Sequence, residues 1–281
     1  MSLVARFQTV VSGLSAVLFP SDCRLCNTPL ISVSRLPVCS DCLNSLAPVH
    51  APQCVLCGER LAPAQLLIGD AQCQACRDYP PEFERAVSYG EYNGGLRGLI
   101  HLLKYDGILP AARPLGRLLA FAIEELRLRR DDSIPNLLPV LVPVPLHGSK
   151  RRERRFNQAD LIARAAQKCL PASFDLECGV LVRQRETRSQ VGLDREARIK
   201  NMRGAFRVVT AERIQGRTLI VVDDVMTTGT TVSECARVLK DAGADRVFAA
   251  TVARTLKAAG TPGFHQPPEG EEIEALELAS V

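Results

Sequence analysis

LIVVDDVMTTGTT, residues 219–231, is the stretch of this 281-residue chain that decides its fold. Its first residues form an unbroken apolar run, which is typical of a buried central strand in a parallel sheet. The run ends in two acids, Asp223 and Asp224, and a loop of small hydroxyl-bearing residues follows. Thr231–Ala242 has helical periodicity and stops before Gly243. The stretch therefore predicts a strand, a loop and the start of a helix.

The loop between this strand and helix has the composition of a phosphate site. A helix N-terminus presents unpaired backbone N–H groups and a partial positive charge, which suit a phosphate dianion. Gly229 allows close approach of the backbone, and threonine hydroxyls add donors. The loop lacks the lysine of the nucleotide triphosphatase loop. Because two adjacent carboxylates can accept hydrogen bonds from vicinal hydroxyls, the stretch predicts a ribose 5-phosphate ligand. A helix N-cap with a solvated turn is the alternative.

Segments on both sides of this stretch alternate between helical and strand-like patterns, which predicts an α/β domain with a mostly parallel sheet flanked by helices. The predicted strands are 138–145, 180–182, 205–209, 218–222 and 246–252, and the predicted helices are 96–105, 111–129, 157–170 and 231–242. We expect three parts: an N-terminal helix with a metal-binding module (1–80), the α/β domain (81–255) and a disordered acidic tail (256–281).

Eight of the eleven cysteines form four Cys-x-x-Cys pairs before residue 77. Two such pairs supply the four thiolates of a tetrahedral zinc site, and four protein ligands leave no position for a water, so we expect two structural zinc ions. The simplest assignment is sequential, and an interleaved assignment is left open. The predicted ligands are Cys23, Cys26, Cys39 and Cys42 for one ion and Cys54, Cys57, Cys73 and Cys76 for the other.

Composition excludes several classes of protein. Hydrophobic residues make up 46% of the chain and charged residues 23%, which is enough apolar surface for a packed core. Aromatic residues make up 5% and tryptophan is absent, which argues against an extensive base-stacking surface. The cysteines crowd into one region, unlike those of a secreted disulfide scaffold. The helical pattern over 2–18 is too short and polar to span a bilayer, so we expect no membrane span and a cytoplasmic protein.

Two basic segments each follow a predicted strand. Residues 147–155 hold five basic residues to one acid, and residues 183–203 hold seven to three. A charge run is usually a solvated face. Ligands of open α/β sheets bind beyond the carboxyl ends of the strands, however, and arginine engages phosphate through paired hydrogen bonds. If the segments converge there, they form a pyrophosphate clamp. The first is predicted as a basic loop comprising Lys150, Arg151, Arg152, Arg154, Arg155, Asn157 and Gln158.

Residues 219–231 resemble the phosphoribosyl pyrophosphate signature of type I phosphoribosyltransferases, in which an apolar strand, two acids and two variable residues precede a Thr-Thr-Gly loop. The resemblance implies that Asp223 and Asp224 hold the ribose hydroxyls and that the loop wraps the 5-phosphate. Purine-salvage members carry an Asp where Thr227 stands, which argues against activation of a purine base. The implied phosphate-binding residues are Thr227, Thr228, Gly229, Thr230 and Thr231.

Further motifs are similar to those of the ComF family of phosphoribosyltransferase-like proteins, which carry a double zinc ribbon before the transferase-like domain. The match covers about residues 10–255. One departure is Arg155, where family members usually have Gly. The matching residues are Pro143, Val144, Pro145, Leu146 and His147; Arg154, Phe156, Asn157 and Gln158; His101, Lys104 and Tyr105; and Arg185, Thr187, Gln190, Leu193, Arg198, Asn201, Gly204 and Phe206.

The ComF resemblance implies a place for each part of phosphoribosyl pyrophosphate, with Mg²⁺ accompanying it. Residues 143–148 form the pyrophosphate loop, and 184–204 form a flexible lid in which Arg185 and Arg198 are catalytic together with Asp223 and Asp224. The implied activity is phosphoribosyl transfer to an unknown acceptor. The alternative is a competence factor that binds single-stranded DNA and acts with DNA-uptake proteins, its phosphoribosyl site being non-catalytic or regulatory. A homodimer is left open.

Overall fold

The structure is a computed structural model that describes residues 21–30, 34–49, 51–61, 65–66, 71–128, 139–187 and 195–256. The amphipathic helix predicted over 2–18 and the acidic tail from residue 257 lie outside the described residues, as do Gln190 and Leu193 of the lid. Within the described ranges, no helix combines the length and the apolar character needed to cross a membrane.

The strands confirm the predicted sheet. Five of them form one sheet in which every neighbouring pair is parallel, and two form a separate antiparallel pair. Across the large sheet the order is β1-β7-β6-β2-β3, and the small pair is β4-β5. The strands are β1 (Ala86–Glu91), β2 (Val140–Pro143), β3 (Asp175–Leu176), β4 (Leu181–Arg183), β5 (Phe206–Val208), β6 (Thr218–Met226) and β7 (Arg246–Arg254).

Helices connect the parallel strands and cover both faces of the sheet. The four longest are amphipathic, with buried apolar residues at helical spacing, and this burial rather than intrinsic propensity stabilises them. In the described residues the α-helices of five residues or more are α1 (Ser40–Asn44), α2 (Gln74–Asp78), α3 (Gly94–Lys104), α4 (Ala112–Leu128), α5 (Gly148–Arg154), α6 (Gln158–Gln167), α7 (Arg195–Met202) and α8 (Thr230–Asp241).

The connections reverse direction between β6 and β2. From β2 the chain continues through α5 and α6 to the edge strand β3, whereas from β6 it continues through α8 to β7 on the other side. Such a reversal opens a crevice at the carboxyl ends of the two strands, where open α/β sheets bind their ligands. We therefore expect the ligand site to lie among the residues that follow Pro143 and Val222.

Alternate residues of β6 divide the molecule into two cores. Ile220 and Val222 pack with α3, α4 and α6, and Leu219 and Val221 pack with α8 and the β4–β5 pair. The cysteines are divided in the same way. Three thiols of the first Cys₄ group contact the first core, and all four of the second group belong to the second core. Each zinc ribbon is thus packed on its own side of the α/β domain.

Two predictions of local structure need correction. The predicted basic loop is largely the helix α5, because the His147 side chain caps it by accepting from the Ser149 N–H and no Gly or Pro interrupts residues 149–154. The lid segment 184–204, predicted as a long mobile loop with room for one helical turn, contains the eight-residue helix α7. The edge strands β1 and β3 were not predicted from the sequence pattern.

Candidate sugar-phosphate site

The site lies where β6 extends beyond its neighbour β2. The pairing of these strands ends at Pro143 and Val222, after which the Val144 N–H donates to the Val222 carbonyl at 2.9 Å. Residues 223–226 continue only alongside β7. One edge of this segment is therefore open toward the loop that follows β2, and both acids lie on it.

The two acids have different environments because successive side chains of a strand point to opposite faces. Asp224 is 3% exposed, and its two carboxylate oxygens are both engaged: Oδ1 accepts the Val225 N–H at 2.9 Å, and Oδ2 lies 2.7 Å from Lys104 Nζ. Asp223 is partly buried, and its Oδ1 accepts the Asp224 N–H at 2.9 Å. Among the described residues no cation lies within ion-pair distance of Asp223.

The charge state of Asp223 reflects this crowding. Desolvation, followed by the neighbouring Asp224 carboxylate, raises the pKa of Asp223 well above its ordinary value, and Lys104 offsets only part of the rise. A ligand that brings hydroxyl donors or a cation would stabilise the ionised form of the Asp223 side chain.

Lys104 and Tyr105, at the end of α3, connect the acids with the basic helix α5. Lys104 pairs with Asp224, and the Arg154 guanidinium lies 5.1 Å from the centre of the Tyr105 ring. His101, one turn earlier, packs against Tyr105 with ring centres 5.0 Å apart and ring planes tilted by 57°. It also shares a hydrogen bond of 2.8 Å with the Tyr92 hydroxyl. The motif that the sequence resemblance marked in α3 is thus brought to the open edge of β6.

The phosphate loop turns into the helix α8 through a glycine in the left-handed conformation. Gly229 caps α8 with φ +77°, a left-handed conformation that glycine takes without steric cost. The Thr228 and Thr230 hydroxyl oxygens lie 2.8 Å apart in a shared hydrogen bond. Thr227 is exposed, Thr228 and Thr231 are partly buried, and Thr230 is buried. The loop thus places hydroxyls and helix N–H groups in one turn.

A cavity of about 160 Å³ adjoins this loop. Residues 228–230 form one wall, and the second zinc ribbon, α7 and α8 form the others. Glu234 on α8 accepts the Gly204 N–H at 2.7 Å and pairs with Arg237, so the end of the lid is fixed to the helix that the loop begins. The cavity thus borders the loop, although Gly229 and Thr230 are themselves buried, and its lining includes neither of the two acids nor residues 143–147.

The predicted pyrophosphate loop, Pro143 to His147, meets the base of the lid. The Asn157 side chain donates to the Val144 carbonyl at 3.0 Å and accepts the Ala159 N–H at 3.1 Å, so one residue both holds this loop and caps α6. The Ser149 hydroxyl donates to Glu186 at 2.9 Å, and His147 Nδ1 lies 3.8 Å from the same carboxylate. The two basic segments thus converge at their bases.

The lid arginines predicted to be catalytic have contacts of their own. Arg185 donates to the Asn201 and Arg203 carbonyls at 2.7 and 2.9 Å, which joins the start of the lid to the end of α7. Arg198 lies on α7 and is partly buried. Arg183 bonds to the Thr187 hydroxyl and lies 5.5 Å from the centre of the Phe206 ring. In this conformation Arg185 holds the shape of the lid.

The cysteines form two groups with sequential pairing. In each group the four sulfur atoms lie within 4.8 Å of one another. Individual Sγ–Sγ separations are 3.8 Å for Cys23 and Cys42 and 3.6 Å for Cys57 and Cys73. A tetrahedron with the ordinary zinc–sulfur bond length has sulfur atoms about 3.8 Å apart, so both groups fit structural zinc.

Sequence reasoning missed Arg254, which fastens the second ribbon to the sheet. It ends β7 beside Met226, is 3% exposed, and donates to Glu59 at 3.1 Å and to the Cys57 sulfur at 3.5 Å. A charged residue after the apolar run of the final strand was the available signal. Lys104 was marked by resemblance alone, because sequence spacing does not show that α3 ends beside β6.

Comparison with known proteins places two domains on the chain. The family model for the double zinc ribbon domain matches residues 14–78, and the model for the phosphoribosyl transferase domain matches residues 178–265. Among solved structures, phosphoribosylpyrophosphate synthetase from Mycobacterium smegmatis is similar over 51% of this chain and 34% of its own, with 21% identity and a TM-score of 0.29.

Relatives of known name are similar over most of the chain. DNA utilization protein YhgH of Escherichia coli (strain K12) is 34% identical over 237 residues, which cover 84% of this chain and 98% of the relative. Competence protein F of Haemophilus influenzae is 27% identical over 218 residues, covering 77% and 90% respectively.

Proposed function

The chain belongs to the ComF family, with its double zinc ribbon and phosphoribosyltransferase-like domain, and on that premise we propose that it binds phosphoribosyl pyrophosphate together with Mg²⁺. The observation that carries the proposal is the β6 tip, where an acid pair on an open strand edge precedes a helix-initiating Thr-Gly-Thr turn. Within one stretch of chain, carboxylates that can accept hydrogen bonds from a diol are thus followed by N–H and hydroxyl groups that can donate to a phosphate.

The ligand parts are assigned by the chemistry of the residues. We assign the ribose hydroxyls to Asp223 and Asp224. Asp223 is the more exposed acceptor, and Asp224 offers the second lone pair of Oδ1, because its Oδ2 is fully buried beside Lys104. The loop 227–231 donates to the 5-phosphate through backbone N–H groups and threonine hydroxyls. The pyrophosphate lies along residues 143–147, beside the basic helix α5 and the lid.

The residues present fit Mg²⁺ carried by the ligand. Mg²⁺ prefers oxygen ligands and keeps several waters, so it would need only one or two protein carboxylates in addition to the ligand. Asp223, whose carboxyl lacks a cation partner among the described residues, is the side chain suited to it. Bound Mg²⁺ would neutralise charge on the pyrophosphate as it leaves.

Where the protein acts as a transferase, the bond between ribose C1 and the pyrophosphate oxygen breaks and a bond from C1 to an acceptor forms. The arginines of α5 and the lid stabilise the leaving charge, and lid closure excludes the water that would hydrolyse the sugar. Thr227 stands where purine-salvage enzymes carry an Asp, so we do not assign a purine acceptor. We also propose a cytoplasmic location, which a protein that keeps its cysteines as reduced thiolates favours.

Calorimetric titration with phosphoribosyl pyrophosphate and Mg²⁺ tests the proposal. We expect saturable binding by the wild type and loss of binding in the double variant Asp223→Asn, Asp224→Asn. Asp245→Asn is the matched control, because Asp245 is exposed and precedes the amino end of β7, opposite to the carboxyl ends of the strands where the site lies. A wild type that does not bind, or a double variant that binds equally well, would refute the proposal.

A second candidate function, binding of single-stranded DNA, is favoured by the surface around Tyr105. The Tyr105 ring is 50% exposed with Arg154 stacked on it, and the α5 residues Arg151 and Arg152 are exposed. An aromatic face next to a basic helix stacks bases and binds phosphates without sequence preference. The relatives' names, DNA utilization protein and competence protein, agree with this activity.

Fluorescence anisotropy with a labelled oligothymidine at several salt concentrations tests this second function. We expect affinity to fall steeply with salt, because each neutralised phosphate releases a counterion. Replacing Arg151, Arg152, Arg154 and Arg155 with Ala should weaken binding and flatten the salt dependence, whereas Lys168→Ala and Lys240→Ala, on other exposed surfaces, should not. A flat salt response in the wild type would count against DNA binding.

A further inference from the structure

The ion pair between Lys104 and Asp224 is buried at the centre of the site. The Lys104 side chain is 14% exposed and that of Asp224 is 4% exposed, with Nζ and Oδ2 2.7 Å apart. Taking two charges out of water costs free energy that their attraction rarely exceeds, and an apolar pair of similar size often stabilises a protein more. A buried pair at the carboxyl end of a central strand therefore needs a reason beyond stability.

Lys104 also has N–H donors for which the described residues provide no acceptor. A lysine ammonium has three N–H groups, and among the described residues Asp224 is its one acceptor within bonding distance. Buried donors are almost always satisfied, so the remaining N–H groups must meet water or a ligand. Burial opposes the charge, but the Asp224 and Asp223 carboxylates raise the pKa of Lys104 above its ordinary value, so the group remains a cation.

The position of Lys104 limits what that ligand can be. Lys104 touches Asp224, and the next residue, Tyr105, touches Arg154 of α5. Asn157, which follows α5, holds the Val144 carbonyl of the pyrophosphate loop. Contacts thus connect Lys104 directly with Asp224, and indirectly, through Tyr105, α5 and Asn157, with the predicted pyrophosphate loop.

Resting on the proposed function, we propose that Lys104 is a ligand-contacting residue that donates to the pyrophosphate group of phosphoribosyl pyrophosphate, with Asp224 holding its ammonium in place. Lys104 acts as a fixed positive charge and transfers no proton. It adds to the charge neutralisation that Mg²⁺ and the arginines supply, and it gives the site a preference for the pyrophosphorylated sugar over ribose 5-phosphate.

Comparing these two ligands tests the proposal, because only one carries pyrophosphate. The Lys104→Met variant is titrated with each in the presence of Mg²⁺. We expect its affinity for phosphoribosyl pyrophosphate to fall about tenfold or more, as for loss of a hydrogen bond to a charged group, while its affinity for ribose 5-phosphate changes little. Lys104→Arg, which keeps the charge, should retain part of the preference.

Two further variants separate this role from a structural one. Lys104→Met leaves Asp224 buried and unpaired, so Lys104→Gln, which still offers Asp224 an N–H donor but carries no charge, is the second variant; under our proposal it too loses the preference for the pyrophosphorylated ligand. Lys240→Met, on the exposed end of α8, is the matched control. Zinc content and unfolding temperature verify folding.

The outcomes are distinct. An equal loss for both ligands, no loss for either, or a full preference in the uncharged Lys104→Gln variant would overturn the role of Lys104. A wild type that binds neither ligand would instead refute the proposed function itself.

Discussion

At the residue scale, the site contains charged side chains in a partly or fully buried environment, where desolvation makes the charged form unfavourable. Asp223 sits partly buried beside a second carboxylate, and its nearest compensation is a lysine that is already paired with Asp224. Groups with perturbed pKa values of this kind cluster at functional sites, because the ligand supplies what the protein lacks. Stability is thereby reduced in the free protein and regained on binding.

We expect Asp223→Asn to stabilise the free protein at neutral pH by about 1 kcal/mol while it weakens ligand binding. Because its folded-state pKa is raised, Asp223 binds more protons in the folded than in the unfolded protein between the two pKa values, so the stability of the wild type falls as pH rises through that window. The gain should therefore vanish below the ordinary carboxyl pKa. Urea unfolding at several pH values measures it, and an Asn variant less stable than the wild type at pH 7 would contradict the assignment.

Residue identities also show how far sequence reasoning reaches. The acids, the hydroxyl-rich loop and the eight cysteines could be assigned from spacing, because strand, loop and ribbon chemistry are local. The different environments of Asp223 and Asp224 could not be predicted, since they depend on a lysine 120 positions earlier in the chain. The same holds for Arg254, whose partners Cys57 and Glu59 are distant in sequence.

At the element scale, α5 shows a helix that sequence periodicity does not reveal. It has no buried residue, and it is polar on all sides, so the usual apolar stripe is missing. Its C-cap, Arg155, adopts φ +65°, the left-handed conformation that glycine provides at helix ends. The left-handed conformation accounts for the Gly that family members usually have at this position. In this chain Arg155 adopts the same conformation, which is unfavourable for a residue with a Cβ atom.

Arg155→Gly is expected to stabilise the protein by about 1 kcal/mol, because the strain of a side chain at positive φ is removed. Arg155→Ala is the matched control, since it removes the same charge but keeps the Cβ atom. Thermal and urea unfolding of the three proteins measure the difference. If the Ala variant gains as much stability as the Gly variant, relief of charge repulsion rather than of backbone strain is the cause.

At the scale of the whole molecule, the two zinc ribbons are not equivalent. The first group leaves the Cys26 thiol exposed, whereas all four cysteines of the second group are buried and one of them contacts Arg254. The parallel sheet could be predicted from the alternation of strands and helices. The placement of one ribbon against each core could not, because it depends on contacts such as that of Leu25 with Gly98 between distant segments.

We therefore expect a chelator to remove zinc in two phases, the first from the exposed group. Cys57→Ala should destabilise the protein by about 3 kcal/mol or more, because it removes a buried zinc ligand from the second core and one of the two partners of the Arg254 guanidinium. Cys26→Ala removes an exposed ligand and should destabilise the protein less. A metal-sensitive dye follows release, and unfolding temperature follows stability. Release in a single phase, or earlier release from the second group, would contradict this picture.

The most direct test of the account is a crystal structure of the protein soaked with phosphoribosyl pyrophosphate and Mg²⁺, with a zinc assay on the same sample. We predict density for the 5-phosphate at the N–H groups of residues 228–231, the ribose beside Asp223, and two zinc ions per chain. Density for the ligand elsewhere, or none at saturating concentration, would contradict the sugar-phosphate assignment.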